Sequence, residues 1–347
     1  MVAPRRIAVV LFNLGGPDSQ AAVRPFLFNL FKDPAILGLP APLRLPLAGL
    51  IAAARAKSAR ANYAHMGGAS PLLPETRAQS EALAAALAGR LPDAEVKTVI
   101  AMRYWRPFIR EAAQAVADFA PDEVVLLPLY PQFSETTTGS SFAGWSKHYR
   151  GPGRSHAVCC YHELDGLIEA HVARIRQCWE EAGRPERLRL LFSAHGLPER
   201  NVRRGDPYQW QVEQTCAAIV RRLDWAWDWR ICYQSRVGPM RWIGPSTPEA
   251  IAEACEDSMN VLVDPVAFVS EHVETLVELD RDYAELADAS GCDVYLRARA
   301  VGSEPVFIEA LADVVLRALD QEGVCPHGRR CEGPWRGCPL QEGRAYV

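Results

Sequence analysis

Two histidines and a line of carboxylates carry the first chemical signal in this chain. The stretch "LLFSAHGLPER", residues 190–200, runs an apolar segment into His195 and breaks at once at Gly196 and Pro198. Further on, "SEHVETLVELDRDY" sets His272 among Glu271, Glu274, Glu278 and Asp282, carboxylates three, four and four residues apart. On an α-helix that spacing puts all four on one face. A solvated acidic face is one reading of such a stripe. Four like charges in a row repel each other, however, and the stripe begins at a strand end, which favours a site. A mixed set of His and carboxylates suits a divalent first-row metal or a proton relay. His195 by itself is as consistent with a structural histidine. Opposite Glu274 it becomes a candidate ligand or base, because neutral imidazole serves as either near pH 7.

These residues need a scaffold that gathers strand ends. Apolar, β-branched runs predict strands at Ile7–Asn13, Val96–Met102, Glu123–Leu129, Ala157–Tyr161, Leu188–Ser193, Trp229–Gln234, Asn260–Phe268 and Asp293–Arg297, with amphipathic stretches between them. That alternation predicts an α/β fold with parallel sheets covered on both faces. The polar, Gly-containing "HYRGPGRSH" near the midpoint favours two similar domains, each with a sheet of its own. The expected division is 1–150, then 151–304, then a C-terminal helix and Cys-rich tail over 305–347. In open α/β sheets ligands bind beyond the carboxyl ends of the strands. Those ends carry "NLGGPDS", "MRYW", "LYPQFSETTTGSS" and "YQSRVGPMRWIGPST". Aromatics there suggest a flat, largely apolar ligand, and the arginines and hydroxyl-rich helix start suggest that it bears anionic groups. No dinucleotide-binding G-x-G-x-x-G, phosphate loop or serine-hydrolase elbow is present.

The bulk properties narrow the class. Among 347 residues the net charge is −4, which argues against a nucleic-acid partner. "MVAPRRIAVVLFNLGG" reads as a first strand of a cytoplasmic protein, its apolar run being short for a signal peptide. "PAILGLPAPLRLPLAGLIAAARA" holds four prolines and Arg44, too interrupted for a membrane span. With Arg55, Lys57 and Arg60 following, it reads either as a surface that rests on a membrane or as a loop and helix packed on the domain. Most of the ten cysteines are expected to be reduced core residues.

Together "LFNLGGPDS", "YPQFSETTTGSS", "FSAHGLP", "YQSRVGPMRWIGP" and "VAFVSEHVETLVELD" resemble the motifs of the ferrochelatase family, in that family's order and over nearly the whole chain. The resemblance implies two Rossmann-like domains facing a cleft, in which ferrous iron is inserted into a porphyrin with release of two pyrrole protons. It implies that His195 contacts metal or accepts protons and that Glu274 is its partner across the cleft, with His272, Glu278 and Asp282 supporting metal or proton passage. Tyr130 and Trp242 match aromatic pocket positions, and Arg103 and Tyr104 match an Arg-Tyr pair near the porphyrin. Leu14 stands where some relatives carry methionine. Residues 34–54 match an apolar lip that would admit substrate from a membrane surface. Protoporphyrin and coproporphyrin both remain open as substrate, as does a haem or metal carrier on the same scaffold. Oligomeric state is not legible.

The tail "VCPHGRRCEGPWRGCPL" places Cys325, Cys331 and Cys338 with five and six intervening residues, unlike the paired C-x-x-C of structural zinc. Some members of the family hold a [2Fe–2S] cluster on C-terminal cysteines and one distant cysteine. Where relatives place that distant ligand in the hydroxyl-rich loop, this chain has Glu135. Cys160, or else its neighbour Cys159, is the expected substitute. A zinc site of Cys325, His327, Cys331 and Cys338 is the competing assignment.

Overall fold

A computed structural model describes residues 4–224, 228–235, 240–321, 331, 333 and 335–339. Among the described residues eight strands form two four-stranded sheets. The first holds β1 (Arg5–Asn13), β2 (Ala94–Met102), β3 (Glu123–Pro128) and β4 (Arg154–Ala157) in the order β2-β1-β3-β4. The second holds β5 (Leu188–His195), β6 (Asp228–Gln234), β7 (Asn260–Asp264) and β8 (Tyr295–Arg297) in the order β6-β5-β7-β8. The second sheet thus repeats the topology of the first, and every pairing is parallel. Ile7 through Phe12 are fully buried, as a strand covered on both faces requires.

The connecting helices are α1 (Val23–Phe31), α2 (Ala41–His65), α3 (Leu72–Arg90), α4 (Ile109–Phe119) and α5 (Ser140–His148) in the first half of the chain. The second half has α6 (Asp165–Glu181), α7 (Glu199–Arg203), α8 (Tyr208–Leu223), α9 (Thr247–Glu256), α10 (Tyr283–Ala289) and α11 (Pro305–Asp320). Two segments, Glu135–Gly139 and Glu274–Asp282, wind as π-helix. α11 returns to the first sheet: Phe307, Leu311 and Val315 share a core with Ile7, Val9, Leu83 and Val125. Gly166 lets α6 lie against α11, since a Cβ there would stand 2.4 Å from the Val306 carbonyl oxygen.

Strand order reverses between β1 and β3 and again between β5 and β7. At such points neighbouring loops leave in opposite directions and open a crevice beyond the strand ends. The crevice of the first sheet receives Leu14 and Tyr130, and that of the second receives His195 and the segment leading to Glu274. Buried hydrogen bonds bridge the halves at this level on two flanks. Gln79 of α3, with no exposed surface, donates to the carbonyls of Val269 (2.8 Å) and Gly302 (3.0 Å) and accepts from Ser270 Oγ (3.0 Å). On the other flank Gln132 Nε2 donates to Thr215 Oγ1 (3.0 Å), and Ser134 Oγ to Asp206 Oδ2 (2.8 Å).

Candidate active site

β5 runs through Ala194 and delivers His195 at its last residue, where Gly196 turns the chain. A Cβ on Gly196 would meet the Gln234 carbonyl oxygen at 2.8 Å and the Trp242 ring at 3.2 Å. Glycine therefore lets Trp242 lie against the turn that carries the histidine. His195 Nδ1 lies 2.9 Å from Glu274 Oε2, and His272 Nε2 lies 3.6 Å from the same oxygen, beyond hydrogen-bond reach. Tyr208 Oη donates to the His195 carbonyl (3.1 Å) and fixes the strand end from below.

The electrostatics follow from these contacts. Enclosure in the cleft disfavours the charged imidazolium, but the Glu274 carboxylate outweighs it and raises the His195 pKa above its usual 6.5. Burial would likewise raise Glu274; His195 and then His272 overcome that and hold its carboxyl far below the usual range. Glu278 goes the other way. Burial and the nearby Glu274 charge push it up to about 7, so it exchanges a proton near neutrality. Gln234, 1% exposed, donates to the Glu274 carbonyl (3.3 Å) and to Glu278 Oε2 (3.4 Å), and Ser235 Oγ donates to the same oxygen (3.1 Å). Ser235 adopts a left-handed backbone (φ 65°), which costs a non-glycine residue on the order of 1–2 kcal/mol and aims its hydroxyl at Glu278.

Two sequence expectations need correcting here. The carboxylate stripe does not lie on an α-helix: Glu274, Glu278 and Asp282 ride a π-helix, a winding that recurs at functional sites. Glu271 is not part of it. It precedes the helix and accepts from Arg297 Nη1 (2.6 Å) and the Ala300 amide (3.0 Å), because Arg297 on β8 is close enough to capture it. Asp282 is exposed at the outer end of the stripe.

On the facing wall, Leu14, Tyr63 and Tyr104 share an apolar cluster with Val273, the residue before Glu274. Tyr130, at the end of β3, is partly exposed. Arg103 and Tyr104 are committed to a carboxylate: Arg103 Nη2 (2.7 Å), Tyr104 Oη (2.9 Å) and Ser140 Oγ (2.8 Å) all reach Asp33 Oδ2. Tyr104 is 1% exposed, and its hydroxyl is spent on Asp33. Leu39, two residues before α2, and Leu43, Leu45, Leu47 and Leu50 in its first turns are exposed. No helix among the described residues is long and apolar enough to cross a membrane.

The cysteines gather elsewhere. Cys331 packs with Cys159, Cys160 and Phe133, flanked by Trp210 and Trp335. Thiol contacts link Cys338 to Cys331, Cys331 to Cys160, and Cys160 to Cys159, the last at 3.6 Å between sulfurs. Cys325 and His327 lie outside the described residues. Among the described residues no three His, Cys, Asp or Glu side chains converge as a metal site. Glu135 is exposed and is no part of this group. The expected strand Ala157–Tyr161 ends at Ala157, and Tyr161 turns into the core, its hydroxyl on the Pro128 carbonyl (2.9 Å).

Sequence reasoning missed Gln234, Ser235, Tyr208, Asp33 and Gln79. The first two stand at a strand end, where the same rule that found His195 could have found them. The others sit on or next to helices and carry no local signal.

A family model described as Ferrochelatase matches residues 6–319. The chain belongs to the ferrochelatase family. It is 59% identical to the ferrochelatase of Phenylobacterium zucineum (strain HLK1), covering 98% of this chain and 97% of that one. It is 58% identical to that of Caulobacter vibrioides (strain NA1000 / CB15N), covering 98% and 99%. Among solved structures it resembles DR2241 from Deinococcus radiodurans, described as similar to chelatases, at a TM-score of 0.54 and 16% identity. That match covers 92% of this chain but 56% of the other. SirB from Bacillus subtilis with Fe3+ matches at a TM-score of 0.52 and 12% identity, covering 90% and 95%. At these identities the likeness is one of fold. As a ferrochelatase the chain is a metal-insertion enzyme acting on porphyrin and ferrous iron.

Proposed function

We propose that this ferrochelatase inserts Fe(II) into protoporphyrin IX, with His195 as the group that meets the macrocycle nitrogens and Glu274 as its charged partner. The observation that carries the reading is the 2.9 Å His195–Glu274 contact at a switch point of the strand order. Insertion replaces two pyrrole N–H bonds with bonds to iron and leaves two protons to remove. Neutral His195 accepts them one after the other, giving up the first before it takes the second, and the imidazolium formed each time is stabilised by Glu274. Glu278, poised at about 7, takes protons onward toward exposed Asp282. A carrier would need the pocket but neither this pair nor the titrating carboxylate behind it.

Protoporphyrin is favoured over coproporphyrin because the mouth is apolar, with Leu43 and Leu50 63% and 69% exposed, and Arg103 is already paired with Asp33. Four propionates would ask for more free cations. The same leucines, followed by Arg55, Lys57 and Arg60, suit peripheral contact with an anionic membrane surface.

The tail reading is that Cys160, Cys325, Cys331 and Cys338 hold a [2Fe–2S] cluster, with Cys159 behind Cys160. The thiols of Cys160, Cys331 and Cys338 are buried, and an all-sulfur donor set fits iron–sulfur ligation or zinc. Cys160 supplies the fourth thiol beside Cys331, so His327 is not needed, and the tail spacing is not that of structural zinc. When bound, such a cluster supplies a one-electron redox centre. The test mixes the protein anaerobically with Fe(II) and either porphyrin, with His195→Ala alongside, and follows the porphyrin bands. Conversion of protoporphyrin by wild type alone is expected. Equal conversion by His195→Ala, or preference for coproporphyrin, would refute the corresponding assignment. Cys331→Ser should lose cluster absorption.

A further inference from the structure

Gln211 sits on α8 with no exposed surface and does nothing for the chemistry of the cleft. Its Oε1 accepts from the Phe133 amide (2.7 Å). Its Nε2 reaches two sulfurs, Cys160 Sγ at 3.4 Å and Cys331 Sγ at 3.2 Å. The carboxamide NH2 has two hydrogens, and each has a sulfur in front of it. A neutral thiol is a weak acceptor, so a buried amide donor aimed at thiols alone recovers little of its desolvation. Against thiolates the same contacts become charge-assisted and roughly twice as strong. The placement therefore makes physical sense when those sulfurs carry negative charge, as they do when they ligate a metal.

We propose that Gln211 is the positioning residue of the cysteine site, one carboxamide spanning the body ligand Cys160 and the tail ligand Cys331 and tuning the potential of the cluster they hold. The inference rests on the cluster reading above. Hydrogen bonds to ligand sulfur stabilise the more negative, reduced form and so raise the reduction potential. The contact also pins the tail to the body across 120 residues of chain. Tyr208, three residues earlier on the same helix, holds the His195 carbonyl, so the helix that touches the thiols also seats the end of β5.

The test is an anaerobic redox titration of the full-length protein as isolated, followed by visible absorption and electron paramagnetic resonance. Wild type, Gln211→Met and Gln211→Glu are compared. Gln211→Met removes the donor at similar size and is expected to make reduction about tenfold less favourable, a midpoint about 59 mV more negative for one electron. Gln211→Glu keeps the acceptor for the Phe133 amide, turns the donor into a carboxylate and should shift the midpoint further in the same direction. It also decides the question should Gln211→Met fail to fold. An unchanged midpoint in the variants, with the cluster present, overturns the role of Gln211 and leaves the cluster standing. Wild-type protein with no cluster absorption, matched by Cys331→Ser, overturns the cluster reading and this inference with it.

Discussion

Replacing Glu274 by glutamine removes one charge from the site and keeps its shape. The carboxylate oxygen lies 2.9 Å from His195 Nδ1. At an effective dielectric near 20 a pair of unit charges at that distance is worth about 6 kcal/mol. The His195 side chain is 44% exposed, so water screens much of this, and the lower end of the usual range, about one pKa unit or about 1.4 kcal/mol, is the reasoned expectation. The sign is definite. In wild type the Glu274 carboxylate, helped by the Glu278 charge, more than offsets enclosure; without Glu274 the weaker pull of Glu278 alone opposes enclosure, and the His195 pKa falls from its wild-type value. The assay is a proton NMR titration of the His195 ring from pH 5 to 9, its resonance identified by its loss in His195→Ala. With the neutral ring as the proposed proton acceptor, the acidic limb of the pH–rate profile should move down with it, while the maximal rate drops for want of a partner to the imidazolium. Stability follows the same linkage. Glu274, depressed in the folded state, stabilises the protein above the ordinary carboxylate value of 4.5, and that contribution fades as pH falls toward its folded pKa. His195, raised in the folded state, stabilises below 6.5, and that contribution is lost as pH rises through its folded value. Gln at 274 should thus flatten the pH dependence of unfolding. A His195 titration that stays put or moves up would refute the electrostatic account.

Gln79→Ala strands the partners of a fully buried carboxamide at the junction of the two halves, and should cost about 3 kcal/mol in urea unfolding; a loss under 0.5 kcal/mol would show that the junction is held elsewhere. Leu43→Ser combined with Leu50→Ser changes exposed positions and should leave the melting temperature nearly unaltered. At about 1.5 kcal/mol or more per buried leucine, the pair should weaken sedimentation with anionic lipid vesicles about a hundredfold, and undiminished binding would remove the lip from the membrane contact.

What the sequence determined by itself was the local code. Apolar runs such as "IAVVLF" are satisfied by strands covered on both faces, and the expected strands recur in the two sheets with their ends shifted by a few residues, except that Ala157–Tyr161 meets β4 at Ala157 alone. Where those runs stop marks the edge at which a ligand binds, so His195 could be singled out before any contact was known. The tertiary structure decided the rest, for reasons that periodicity does not carry. The spacing of Glu274, Glu278 and Asp282 fits an α-helix as well as the π-helix observed, and the wider winding is set by what packs around it. Glu271 obeys the same spacing but is captured by Arg297 from another strand. Arg103 and Tyr104 look free in sequence and are held by Asp33, which arrives from the end of α1. Cys160, Gln211 and Cys331 meet across separations of 51 and 120 residues. A pattern of residue types encodes which face of an element is apolar; which distant charge or sulfur lands on that face depends on how all the elements close together.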